Sequence, residues 1–122
     1  MEGDWSTWKE ALSEHYKECI DIYLQYYKKG DLKKIMLKIN EDMYNVVILL
    51  DIDDKIYEVD VEDYGIGRWD RERLRECYFA DELWVDYMEY CNNKNIKENL
   101  DELCESLKKI YGNIIVEWRE TE

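Results

Sequence analysis

Proline is absent from the 122 residues; glycine occurs five times, and phenylalanine and histidine once each. No linker-like or low-complexity stretch divides the chain, so a single domain over 1–122 is expected. The lone histidine, His15, has no serine or cysteine at nucleophile spacing. It reads as an ordinary helix residue, which leaves catalysis without a visible carrier. Gly65-Ile66-Gly67 lacks the third glycine of a dinucleotide fingerprint and follows an antiparallel strand pattern, so no cofactor is expected there. The four cysteines include no short Cys-x₂₋₄-Cys pair, which argues against zinc. They read as free buried thiols of a cytoplasmic protein. No run approaches the ~20 apolar residues needed to cross a bilayer, and Met1-Glu2-Gly3-Asp4-Trp5 has no signal-peptide character. A cytoplasmic location without membrane contact is therefore expected.

Positive charge is also scarce. Seventeen bases face thirty acids, a net charge of −13, beyond the magnitude of about 2–8 that suits a small domain. Such a field repels nucleic-acid phosphates and anionic membranes and attracts basic surfaces. An apolar content of 46% nonetheless suffices for one hydrophobic core.

Apolar residues at Trp5, Trp8, Leu12, Tyr16, Cys19, Tyr23 and Tyr26 follow helical spacing and predict a helix over 5–29. Asp4, or Thr7 with Glu10, would cap its start, and Lys28-Lys29-Gly30 its end. Period-two alternation follows in three runs: Ile35, Leu37, Ile39; Val46, Ile48, Leu50, Ile52; and Tyr57, Val59, Val61. A two-residue turn at Asp53-Asp54 pairs Leu50 with Tyr57, Ile48 with Val59 and Val46 with Val61. A turn around residues 41–44 pairs Ile39 with Val46 and Leu37 with Ile48. Slipping either register by one residue would bury charge. A second helix, about 70–91, carries Leu74, Cys77, Tyr78, Trp84, Val85, Met88 and Cys91. A third, capped by Asn95 with Glu98, carries Ile96, Leu100, Leu103, Leu107 and Ile110 and ends at Gly112. Residues 114–118 offer a short strand. The expectation is an α+β fold of order αβββααβ: a three-stranded antiparallel β-meander with helices packed on one face.

Residues 51–63 hold Asp51, Asp53, Asp54, Glu58, Asp60, Glu62 and Asp63 against Lys55 alone. The strand register sends Glu58, Asp60 and Glu62 to the face opposite the core, beside Asp51. An exposed strand ordinarily shows charge, but clustered like charge also opposes folding, so a solvated face and a partner-docking surface both stay open. Asp86 and Glu89 on the second helix join the candidate partner-binding set. A calcium loop is excluded, because Lys55 and Ile56 occupy positions that need an oxygen ligand and a glycine. Arg68, Arg71, Arg73 and Arg75 crowd one helix start; pairing with Asp70, Glu72 and Glu76 is favoured over phosphate binding. Eleven tyrosines and five tryptophans exceed what the inward stripes hold, and exposed aromatics beside acids suit a protein–protein contact.

In element order over 5–111 and in charge, with acids at Asp51–Asp63 and Asp81–Glu105, the chain resembles small acidic phage anti-CRISPR proteins that mimic DNA. The resemblance implies a helix, a three-stranded antiparallel sheet and two further helices. It also implies an inhibitor that blocks DNA or RNA binding or cleavage by a nuclease effector. The same charge suits a bacterial immunity protein or antitoxin neutralising a nuclease or other basic toxin. An oligomer, such as a homodimer, stays open because Met36, Val47, Leu49 and Ile56 sit on the far face of the sheet. In either leading case the expected partner is a basic protein, with no direct nucleic-acid binding.

Overall fold

The computed structural model describes residues 5–27, 30–39, 46–78 and 96–120. Helix α1 spans Trp5–Tyr27 and is followed by strands β1 (Leu32–Ile39), β2 (Val46–Ile52) and β3 (Lys55–Glu58). Helices α2 (Arg68–Tyr78) and α3 (Ile96–Tyr111) and strand β4 (Ile115–Glu120) complete the described elements. The expected cap at Asp4, the Lys28-Lys29 stop, the turn at 41–44, the helical stretch 79–91 and the Asn95 cap lie outside the described residues.

The registers anticipated around the hairpins recur, except that Val46 does not pair with Val61 because β3 ends at Glu58. Ile39 pairs with Val46 and Leu37 with Ile48, and Leu50 pairs with Tyr57. Asp53 and Asp54 make the two-residue turn, both at positive φ (53° and 67°). This mirror-image turn matches the twist of the strands it joins, and aspartate tolerates the left-handed region better than most residues. The turn is tied by Asp54 N–H to Asp51 Oδ1 (3.1 Å) and by Asp53 N–H to the Asp31 carbonyl (3.1 Å). Gly30 lies so close that a Cβ there would sit 2.6 Å from Asp53 Cβ, which explains the glycine.

The sheet itself differs from the expected three-stranded antiparallel meander. It is a four-stranded mixed sheet in the order β3-β2-β1-β4, with β4 parallel to β1 and pairing Lys34 with Ile115 through Ile39 with Glu120. The reason lies in β1. A bare meander would leave its edge unpaired although Ile35, Leu37 and Ile39 are buried; β4 completes that edge, and β1 becomes central. Gly112, at φ 80°, ends α3 with its N–H on the Lys108 carbonyl (2.8 Å) and turns the chain toward β4.

Helices α1 and α3 run parallel, joined in step by Lys9–Glu102 (3.8 Å), Ser13–Ser106 (3.0 Å) and Tyr111 on the Lys17 carbonyl (3.2 Å). One core holds Trp8, Leu12, Ile20 and Tyr23 from α1, Leu74 from α2, Leu100, Leu103 and Leu107 from α3, and the alternate residues of β1 and β2. The opposite face of the sheet has no described helix over it, and Ile56 and Ile115 on it are 63% and 59% exposed.

Candidate partner-binding surface

The acids of 51–63 separate into two groups. Strand β3 stops at Glu58, and Val59 keeps one further bond, its N–H to the Ile48 carbonyl (3.0 Å). Asp60 and Glu62 therefore stand in a turn rather than on the outer sheet face beside Asp51. Asp60 Oδ1 accepts the Glu62 N–H (2.9 Å), an aspartate turn of the common kind. Asp53, Asp54, Glu58, Asp60 and Glu62 are all exposed. Within this rim Lys33 reaches Asp54 (3.1 Å) and Arg75 reaches Glu62 (2.7 Å). Such exposed pairs contribute little to stability. Asp51 is half-buried on the outer face opposite Lys34 and Ile56. Asp86 and Glu89 lie outside the described residues.

Asp63 does something else. Its Oδ2 accepts hydrogen bonds from the hydroxyls of Tyr23 (2.9 Å) and Tyr27 (2.7 Å), while its Oδ1 accepts the Gly65 N–H (2.8 Å). The Tyr23 hydroxyl in turn accepts the Asp60 N–H (2.8 Å). Burial alone would push the Asp63 carboxyl up. The bonds from Tyr27, Gly65 and Tyr23 and the Arg71 charge outweigh it and hold the group below its ordinary value. The phenols respond in the opposite sense: burial and the Asp63 carboxylate push Tyr27 up to about 12. Tyr26 donates likewise to Asp70, and Tyr111 to Asp21 (2.8 Å). These bonds give a reason for tyrosine rather than phenylalanine at helix–loop junctions: the ring packs while the hydroxyl meets a carboxylate.

The loop that Asp63 anchors and the start of α2 present two features that charge counting missed. Tyr64 is 85% exposed and Trp69 is 80% exposed, directly beyond the acidic rim. The Arg71 guanidinium lies 4.9 Å from the Tyr64 ring centroid, a cation–π contact. The signal available in the sequence was that Trp69 falls off the apolar stripe of its helix. Two of the four arginines of α2 pair with acids: Arg73 with Glu18 (2.7 Å) and Asp70 (3.3 Å), Arg75 with Glu62 and Glu72.

Among the described residues no group of three or more His, Cys, Asp and Glu side chains is placed to hold a metal ion. Glu14, His15, Glu18, Glu76 and Cys77 instead line an open depression of about 350 Å³. A hydrogen bond from the buried Cys19 thiol favours the Cys77 thiolate and, with the Arg73 charge, holds its pKa down against burial and the nearby acids. Burial pushes Cys104 up to about 12. Cys77 is thus expected to take up iodoacetamide at pH 7.5 at least ~10-fold faster than Cys104, since the thiolate is the nucleophile. Peptide mass spectrometry of briefly alkylated protein reads this directly. Equal labelling of the two would contradict it.

Comparison with family models, curated proteins and solved structures finds no match for this chain. No described helix is long and apolar enough to cross a membrane.

Proposed function

We propose that this chain is an acidic binding protein that inhibits a basic, nucleic-acid-handling partner by presenting carboxylates where the partner expects phosphates. The observation that carries the reading is that five exposed acids from Asp53 to Glu62 are followed closely in the chain by the exposed aromatics Tyr64 and Trp69. Carboxylates steer encounter with a cationic surface. Large exposed aromatics supply contact area that holds a complex once formed. Turn formation accounts for Asp53, Asp54 and Asp60, but not for Glu58, Glu62 or the exposure of the two rings. Cytoplasmic action, in the host cell if the chain is phage-encoded, belongs to the same proposal, as does blocking a nuclease effector in the anti-CRISPR manner. Catalysis is no part of it.

The two aromatics also favour a second reading, an immunity protein or antitoxin against a nuclease or other basic toxin, because stacking onto protein is not something phosphate mimicry requires.

The test uses the immobilised full chain, host lysate and stepped salt, with mass spectrometry of what elutes. Basic nucleic-acid enzymes should be retained at low salt and leave as salt rises. The combined variant D53N/D54N/E62K keeps residues that tolerate the turn and should slow association with the captured partner ~10-fold or more. Trp69→Ala should instead speed dissociation, by ~30-fold or more for a central aromatic. Retention that persists in molar salt, or that ignores both variants, would refute the reading.

A further inference from the structure

Independently of that function, we propose that the face of the sheet that no described helix covers is a two-fold interface between two copies of this chain. The pairing register places its outward residues in rows. Across β3, β2, β1 and β4 the first row is Ile56, Asp51, Lys34, Ile115. The second is Glu58, Leu49, Met36, Glu117. The third, where β3 has ended, is Val47, Lys38, Arg119.

A two-fold axis lying in the interface along the strands, between β2 and β1, reverses each row over itself. The first row then sets Ile56 against Ile115 of the second copy and Asp51 against its Lys34, twice over. The second row sets Leu49 against Met36. In a flat stack Glu58 would meet Glu117. Glu117, however, is already held by Lys34 (2.5 Å) and Arg119 (3.0 Å). The ~30° rotation between packed sheets also carries Glu58 toward Arg119 of the second copy. An axis across the strands would set Glu58 on Glu58, Glu117 on Glu117 and Lys34 on Lys38 and make no Asp51–Lys34 contact, so it is excluded.

Charge supports a second copy over a basic partner at this face. Asp51, Glu58 and Glu117 balance Lys34, Lys38 and Arg119, so the face is neutral in a chain of net charge −13. Asp51 and Glu58 lie on the β3-β2 side, while the bases lie on the β1-β4 side, where Glu117 is already paired with Lys34 and Arg119. Met36, Leu49 and Ile56 line a depression of about 270 Å³ on this face. Four strands ~4.8 Å apart and three rows ~7 Å apart give about 400 Å² of plane per copy. That is below the ~800 Å² per partner of a standard interface, so the dimer is expected to depend on concentration.

Sedimentation velocity of the full chain from 5 µM to 1 mM (on the order of ordinary to crowded concentrations) in physiological salt tests this. The mass should rise from 15.0 kDa toward twice that value. K34D and D51K each place like charges together at both symmetric contacts and should weaken self-association at least ~10-fold. Mixed in equal amounts, the two variants become complementary and should dimerise again. Ile56→Lys, on a largely exposed edge position, should weaken association without altering circular dichroism. A wild-type chain that stays monomeric to 1 mM leaves the face to another protein and overturns the proposal. So does a dimer indifferent to these substitutions, or a mixture of K34D and D51K that remains monomeric although both fold.

Discussion

Replacing Asp63 with alanine is expected to lower the unfolding free energy by about 3 kcal/mol, from three hydrogen bonds to one charged group. The Tyr23 and Tyr27 hydroxyls and the Gly65 N–H would all lose their acceptor. The damage should spread, because these bonds fasten the loop after β3 to the C-terminal turn of α1. Asp63→Asn keeps the shape and removes the charge, so it should cost less. The pH dependence checks the cause. The Asp63 carboxyl is held below its ordinary value of 3.8, so its contribution is fully present above that value and is lost as pH falls through the lower, folded one. Urea denaturation should therefore show the full gap between wild type and Asp63→Ala at neutral pH, shrinking in the acid range. A cost under ~1 kcal/mol, or a gap that stays constant down to pH ~2.5, would show that the triad does not fasten the fold.

That same residue shows where sequence reading stops. Asp63 and Asp53 belong to one acidic run, and no local pattern tells a carboxylate that accepts tyrosine hydroxyls from one that faces water. The distinction is made by Tyr23 and Tyr27, some forty residues away, brought there only by the fold. Strand parity was legible because its period is two and a slip inverts every side chain: Leu37 opposite Ile48 and Leu50 opposite Tyr57 follow from it. The same parity is silent on which edge a strand joins. Residues 114–118 read as a strand from composition, but the parallel partner β1 lies some eighty residues earlier, and the intervening chain carries no turn signal that names it. The acidic half of the candidate surface was likewise visible as charge density. Its aromatic half was not, since exposure of Tyr64 and Trp69 depends on how the anchored loop and the start of α2 are held.

Strand β1 offers the sharpest contrast between the two faces of the sheet. Leu37 is fully buried, flanked by Ile48 on β2 and Trp118 on β4. Leu37→Ala should cost about 3 kcal/mol, through lost burial and a cavity that four packed strands cannot collapse. Its neighbour Met36 points the other way and is half-exposed. Met36→Ala should change the monomer's urea midpoint by an amount equivalent to less than ~1 kcal/mol, because few atoms cover it. It should nevertheless weaken self-association, since Met36 would pack on Leu49 of the second copy. Denaturation at low micromolar concentration and sedimentation at high concentration separate the two effects. If Met36→Ala destabilised the dilute protein as much as Leu37→Ala, the sheet would be covered on both faces within one chain. Its self-complementary rows would then have no second copy to meet.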